Sequence, residues 1–203
     1  MDKKSVRKQK VRDSFIAAAG EILENEGVEG LTIRKVADIA QYNSATIYNY
    51  FEDMNELIWL AVIQLINKYS SNYLEKFEEE KDPLEGYLKV WETFCIFCID
   101  HPHISRFLLY EDLADNDLQL LIKDSPVYRI ERTALQNCID NNLITADNAT
   151  YISDIFIFLL TGGVSRYINN RTKYNRQEII ALVTGSMRTF LKAIAADKAA
   201  REL

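Results

Sequence analysis

Apolar residues recur at intervals of three and four through almost the whole chain, and very little interrupts them. Only 7 glycines and 3 prolines stand among 203 residues. An all-β architecture needs frequent turns, and turns draw heavily on those two residues. The chain is therefore expected to be all-α, with about nine helices and no convincing strand. At 48% hydrophobic residues it has enough apolar surface for a sizeable core.

The spacing predicts a first helix over about 8–25, with Phe15, Ala19, Ile22 and Leu23 on one face and Gly27 and Gly30 ending it. Thr32 caps a short second helix whose inner face is Ile33, Val36, Ala37 and Ala40. A break at about 41–43 precedes a third helix over about 44–50, anchored by Ile47, Tyr50 and Phe51. Asp53 caps a fourth, reaching to about residue 78 and so about 39 Å long. Further helices are expected over about 83–100, 103–113, 117–123, 126–142, 146–170 and 175–200. The domains implied are 1–52, a compact head, and 53–203, a larger helical body.

Net charge is -6, which argues against a general nucleic-acid or membrane binder. The distribution is uneven. Lys3, Lys4, Arg7, Lys8, Lys10 and Arg12 against Asp2 give the first twelve residues +5, leaving -11 on the rest. A basic end on an acidic body points to local binding of anions. No apolar run follows the basic start, so no signal peptide is expected. The most apolar window, LIWLAVIQLI (57–66), is far shorter than the roughly 20 residues that span a bilayer. Three cysteines suit a reducing cytoplasm better than a disulfide framework.

Two short helices separated by a three-residue break form a helix-turn-helix, the second helix being the one a DNA major groove admits. The segment LTIRKVADIAQYNSATIYNYFEDMNEL (31–57) resembles the N-terminal signature of the TetR family of bacterial transcriptional repressors. Thr32, Val36, Ala37, Ala40, Thr46, Ile47, Tyr48, Tyr50, Phe51 and Leu57 match in type and spacing. The resemblance covers about the first quarter of the chain. It implies a ligand-responsive regulator, a homodimer on a palindromic double-stranded DNA operator, released by a small organic effector. Ser44, Ala45 and Tyr48 would then approach base edges; Thr46, Asn49 and Tyr50 would bond mainly to phosphates. Arg34 is able to grip a guanine, Lys35 would serve the backbone, and Thr32 and Asn43, which cap the two helices, belong to the same DNA-binding set.

Five positions depart from the family pattern. Gln41 stands where Gly is usual in the turn, Tyr42 for Val, Asn43 for Ser and Ala45 for Gly. Met54 replaces a lysine that in the family touches phosphate.

Beyond the head, IFIFLLTGGV (155–164) is apolar all round and so must be buried on more than one side. With the last helix (Ile179, Leu182, Val183, Met187, Phe190, Ile194) it matches the pair that builds the family's dimer interface. Gly162 and Gly163 would let a neighbouring helix come close. Trp91, Phe94, Phe107, Tyr110, Tyr128 and Phe158 are candidates for the walls of an effector pocket. Cys95, Cys98, His101 and His103 have the look of a metal site. Helical spacing places Trp91, Phe94, Cys95 and Cys98 on one buried stripe instead. Glu111 and Asp112 are adjacent and point apart, and no phosphate loop or nucleophile elbow is present, so neither catalysis nor a cofactor is expected. The other reading is a helical interaction module that binds protein or a small molecule and not DNA.

Overall fold

A computed structural model describes residues 3–78, 80–110 and 125–201. Among these residues there are nine α-helices and no strand. They are α1 (Lys3–Glu26), α2 (Ile33–Ala40), α3 (Ser44–Ile47), α4 (Met54–Glu78), α5 (Pro83–Asp100), α6 (Pro102–Tyr110), α7 (Pro126–Asp140), α8 (Ala146–Ile168) and α9 (Arg176–Arg201). A single 3-10 turn, Val28–Gly30, links α1 to α2. The helix expected over 117–123, the Glu111–Asp112 pair and the side chain of Tyr110 lie outside the described residues.

The chain divides into two compact units: Met1–Lys68 with His103–Ser125, and Tyr69–Pro102 with Pro126–Leu203. Helix α4 runs from the first into the second. In the first unit Phe15, Ala19, Ile22 and Leu23 of α1 are buried with Val36, Ala37, Ile47, Phe51 and Leu57. Gly27 sits at φ 76, and a Cβ there would meet the His103 ring nitrogen at 2.8 Å, so both backbone and space demand glycine. Gly20 on α1 faces the Leu65 side chain of α4, which a Cβ at residue 20 would meet in ordinary contact at 3.6 Å.

The second unit packs α5 against α7, α8 and α9. Its core holds Tyr87, Trp91, Cys95 and Cys98 of α5, Ile130, Ala134 and Cys138 of α7, Ile152, Phe156, Leu160 and Val164 of α8, and Ile179, Val183, Met187 and Leu191 of α9. Asp82 caps α5 through the amide of Leu84 (2.9 Å), with Pro83 at the first turn, where its missing N–H costs nothing. At Gly163 α8 and α9 approach closely, since a Cβ there would overlap the Val183 methyl. Arg176 forks onto Asp100 (2.8 and 2.7 Å), and Arg188 and Lys192 both reach Glu85. Those guanidinium bonds hold both carboxyls below their usual range, against a smaller upward push from burial.

Two expectations change. Helix α1 begins at Lys3 and not near residue 8, because its basic residues are good helix formers and no breaker precedes them. Helix α3 ends at Ile47, and residues 48–50 continue as a tighter turn, with Asn49 and Tyr50 amides bonding three residues back (3.1 and 2.9 Å). That tightening brings Phe51 into the core, and its amide closes on Ile47 at 3.2 Å.

Candidate nucleic-acid interface

The turn between α2 and α3 is built locally. Thr32 accepts from the Lys35 amide (3.2 Å) and starts α2. At the other end Gln41 adopts a left-handed conformation, φ 61 and ψ 40, and the Tyr42 amide reaches back to the Ala37 carbonyl at 3.0 Å. This is the hydrogen-bond pattern of a glycine-type helix stop, carried here by glutamine. Asn43 then accepts from the Ala45 amide (2.9 Å) and starts α3. Tyr42 does not point freely outward, because its ring lies 5.3 Å from that of Phe15, half covered.

A side chain at φ near +60° carries steric strain that glycine lacks, partly offset by glycine's greater chain entropy. Gln41→Gly is therefore expected to raise stability by about 0.5–1 kcal/mol, read as a higher urea midpoint at unchanged slope.

Helix α3 and its tight turn present two faces. Ile47 is buried, and Phe51, just beyond, packs 6.2 Å from Phe15. On the opposite side Tyr48 is 63% exposed, with Ala45 and Asn49 exposed beside it. Ser44, Thr46 and Tyr50 are half-buried, and the Tyr50 ring packs 5.9 Å from Phe15. Arg34 is almost fully in solvent, loosely facing Asp38 at 3.9 Å. Lys35 is held by Glu26 at 2.5 Å, so its charge is already paired.

Cationic groups cluster on α1. Lys3, Lys4, Arg7, Lys8 and Lys10 are all exposed on its first turns. Arg12 differs: it bonds Glu56 at 3.2 Å and lies over the Phe51 ring at 5.3 Å, tying α1 to α4. Its role as a staple was not legible beforehand, since it read as one more charge of the basic end. At the start of α4, Asp53 accepts from the Glu56 amide (2.8 Å) and Glu56 accepts from the Glu52 amide (2.7 Å). That reciprocal cap places three carboxylates where the family pattern has a lysine. Met54 lines a cleft of about 240 Å³ there, with Ile33, Tyr48, Glu52 and Asp53.

The candidate pocket residues are dispersed. Trp91 and Phe94 lie together on α5, rings 6.5 Å apart. Phe107 packs on Trp59 in the first unit, at 4.5 Å. Tyr128 is about half covered, and Phe158 points into solvent at 69%, so Phe158 lines no interior wall within this chain. Cys95 and Cys98 are buried on α5, while the His101 ring packs against both Tyr69 (4.2 Å) and Phe97 (4.8 Å). Burial pushes the Cys95 thiol up to about 12 and Cys138 up to about 11, which keeps both protonated and unreactive at neutral pH.

Comparison with known proteins agrees with this geometry. The sequence model of the bacterial regulatory proteins of the tetR family matches residues 15–59, which run from Phe15 through the turn into α4. A helix-turn-helix-type transcriptional regulator of Haemophilus influenzae is 26% identical over 107 residues, covering 52% of this chain and 57% of its own. The chain thus spans little more than half the length of that relative. Among solved structures, RolR in complex with resorcinol superposes with a TM-score of 0.71 at 14% identity, covering 97% of this chain and 96% of that one. A TetR family transcription regulator from Marinobacter aquaeolei gives 0.63 at 18% identity, covering 91% and 97%. The first quarter of the chain thus carries the N-terminal domain of the bacterial tetR family of regulatory proteins, and nearly its whole length has the all-helical fold of these solved structures.

Proposed function

We propose that the chain is a ligand-responsive repressor that binds a palindromic operator as a homodimer in the cytoplasm. Residues 1–52 form the DNA-binding head, and residues 53–203 hold a small organic effector and the dimer interface. The observation that carries this reading is the outer face of α3 and its turn. It is exposed, uncharged and rich in hydroxyl and amide groups, and it is fixed by Ile47 and Phe51 beneath it. Such groups bond to phosphates and base edges without bringing charge. The exposed cations of α1 supply the phosphate contacts that the acidic body cannot.

Dimerisation is supported by the outward face of α8 and α9. Tyr151, Ile157, Phe158 and Leu182 are exposed, and Gly162 and Gly185 have open space at their Cβ positions. Both helices are long and apolar enough to cross a membrane by length and composition. Against that role, Arg176, Arg188 and Lys192 of α9 are engaged in ion pairs to α5. A second copy covering the apolar face is the simpler fit. In this reading an effector held in the body acts on the head through α4, and it induces only by favouring the non-binding spacing. RolR, solved with resorcinol as its ligand, offers a precedent for a small aromatic ligand in this fold.

A salt-dependent shift of operator DNA tests the reading. Tyr48→Ala is expected to weaken specific binding about tenfold to a hundredfold and to erode discrimination between sites, leaving non-specific binding unchanged. Equal binding by the variant would remove α3 from the interface. Met54→Lys restores a cation where the chain holds three carboxylates. Expected is tighter operator binding and a log–log salt slope steeper by about one, measured by titration at several salt concentrations.

A further inference from the structure

The segment that carries Tyr48 is too short to hold its own shape. Helix α3 has four residues, and an isolated helix of that length does not persist in water. Its orientation is therefore imposed at its two ends. The start is tied to α2 through the left-handed Gln41 and the Asn43 cap. The other end runs through the tight turn to Phe51 and into a joint built on Glu56. One oxygen of that carboxylate accepts from the Glu52 amide at 2.7 Å. The other accepts from the Arg12 guanidinium of α1 at 3.2 Å. The same guanidinium lies over the Phe51 ring, 5.3 Å from its centre, and Phe51 is 4% exposed. The Phe51 amide in turn closes on the Ile47 carbonyl of α3. A continuous set of contacts thus runs from α1 through Glu56 and Phe51 to the end of α3.

Arg12 stands apart from the other cations of α1. Lys3, Lys4, Arg7, Lys8 and Lys10 are exposed, whereas the side chains of Arg12 and Glu56 are only 30% and 24% exposed. A guanidinium bonded to a carboxylate and laid on a ring must leave both partners to reach a phosphate, and Glu56 beside it opposes the phosphate's charge. We propose that Arg12 and Glu56 are positioning residues for base reading: they fix the angle at which α3 and its turn present Tyr48, and Arg12 is not a phosphate contact. Base contacts carry sequence information and phosphate contacts do not, so opening this joint costs discrimination and not general affinity. The assignment rests on reading α3 as the segment that faces DNA.

The full chain, Arg12→Met, Glu56→Gln and the double variant are titrated with the duplex enriched from a random pool and with a scrambled duplex of equal length. Salt is varied, at a temperature where Trp59 fluorescence in a Trp91→Phe background reports a folded head. Arg12→Met keeps an unbranched stem over Phe51, and Glu56→Gln keeps an acceptor for the Glu52 amide. In each single variant the ratio of the two affinities is expected to fall about tenfold. The double variant falls no further, because either change opens the same joint. The salt slope for the enriched duplex is unchanged in Arg12→Met. A phosphate contact by Arg12 gives the contrary result: Arg12→Met weakens both duplexes alike and flattens the slope by about one, while Glu56→Gln releases the guanidinium and tightens both. That result, or a ratio unchanged in either single variant, overturns the assignment and leaves sequence reading by α3 intact. No preference for any duplex in the unaltered protein would defeat the DNA reading itself, and this assignment with it.

Discussion

Phe15→Ala unfolds the head and abolishes operator binding while the second unit stays folded. Phe15 is 0% exposed, and its ring is met by Tyr42 at 5.3 Å, Tyr50 at 5.9 Å and Phe51 at 6.2 Å. It is the floor on which the turn and α3 rest, so truncation removes its own burial and leaves three rings around a void. Losses of about 3–5 kcal/mol are typical of such a change. A small domain holds only about 5–15 kcal/mol in all, so little would remain. The chain's two tryptophans make the test clean, since Trp59 lies in the first unit and Trp91 in the second. With Trp91→Phe or Trp59→Phe as background, the Trp59 transition is expected to move to much lower urea and the Trp91 transition to hold. Equal shifts of both would show that the head does not fold as its own unit.

The second large effect concerns the face of α8 and α9. Replacing both Phe158 and Leu182 with glutamate is expected to give a folded monomer. Both side chains are exposed in the single chain, at 69% and 47%, so the intrachain packing lost is small. Charges at the centre of an apolar interface between copies are costly, and two per copy meet their own likes across a two-fold axis. Sedimentation is expected to show the unaltered protein as a dimer at micromolar concentration and the variant as a monomer. Operator affinity is expected to fall about a hundredfold or more, because the second half-site is no longer engaged at a high local concentration. A dimer persisting in the variant would place the interface elsewhere.

How much the sequence disclosed follows from how local each feature is. The two caps of the helix-turn-helix, Thr32 and Asn43, were legible because each bonds an amide two or three residues away. The length of α3 was not, because Phe51 must enter a core assembled from α1, and that contact tightens residues 48–50. Phe156 and Phe158 illustrate a different limit. Periodicity marks their segment as apolar all round, yet one ring is wholly buried and the other largely exposed. Only the packed helices decide which side the chain itself covers. The Arg12–Glu56 joint was invisible for a third reason. Its partners stand 44 residues apart. Arg12 itself ends the basic run of residues 3–12, where it reads as one more charge.

The central claim is that α3 reads a DNA sequence. Selection of binding sites from a random duplex pool, followed by footprinting of the enriched site, tests it most directly. The account predicts a palindrome with half-site centres about one helical turn apart, near 34 Å, or a multiple of it, and loss of the enrichment in Tyr48→Ala. A pool that shows no enriched sequence, or a site bound equally by Tyr48→Ala, would contradict it.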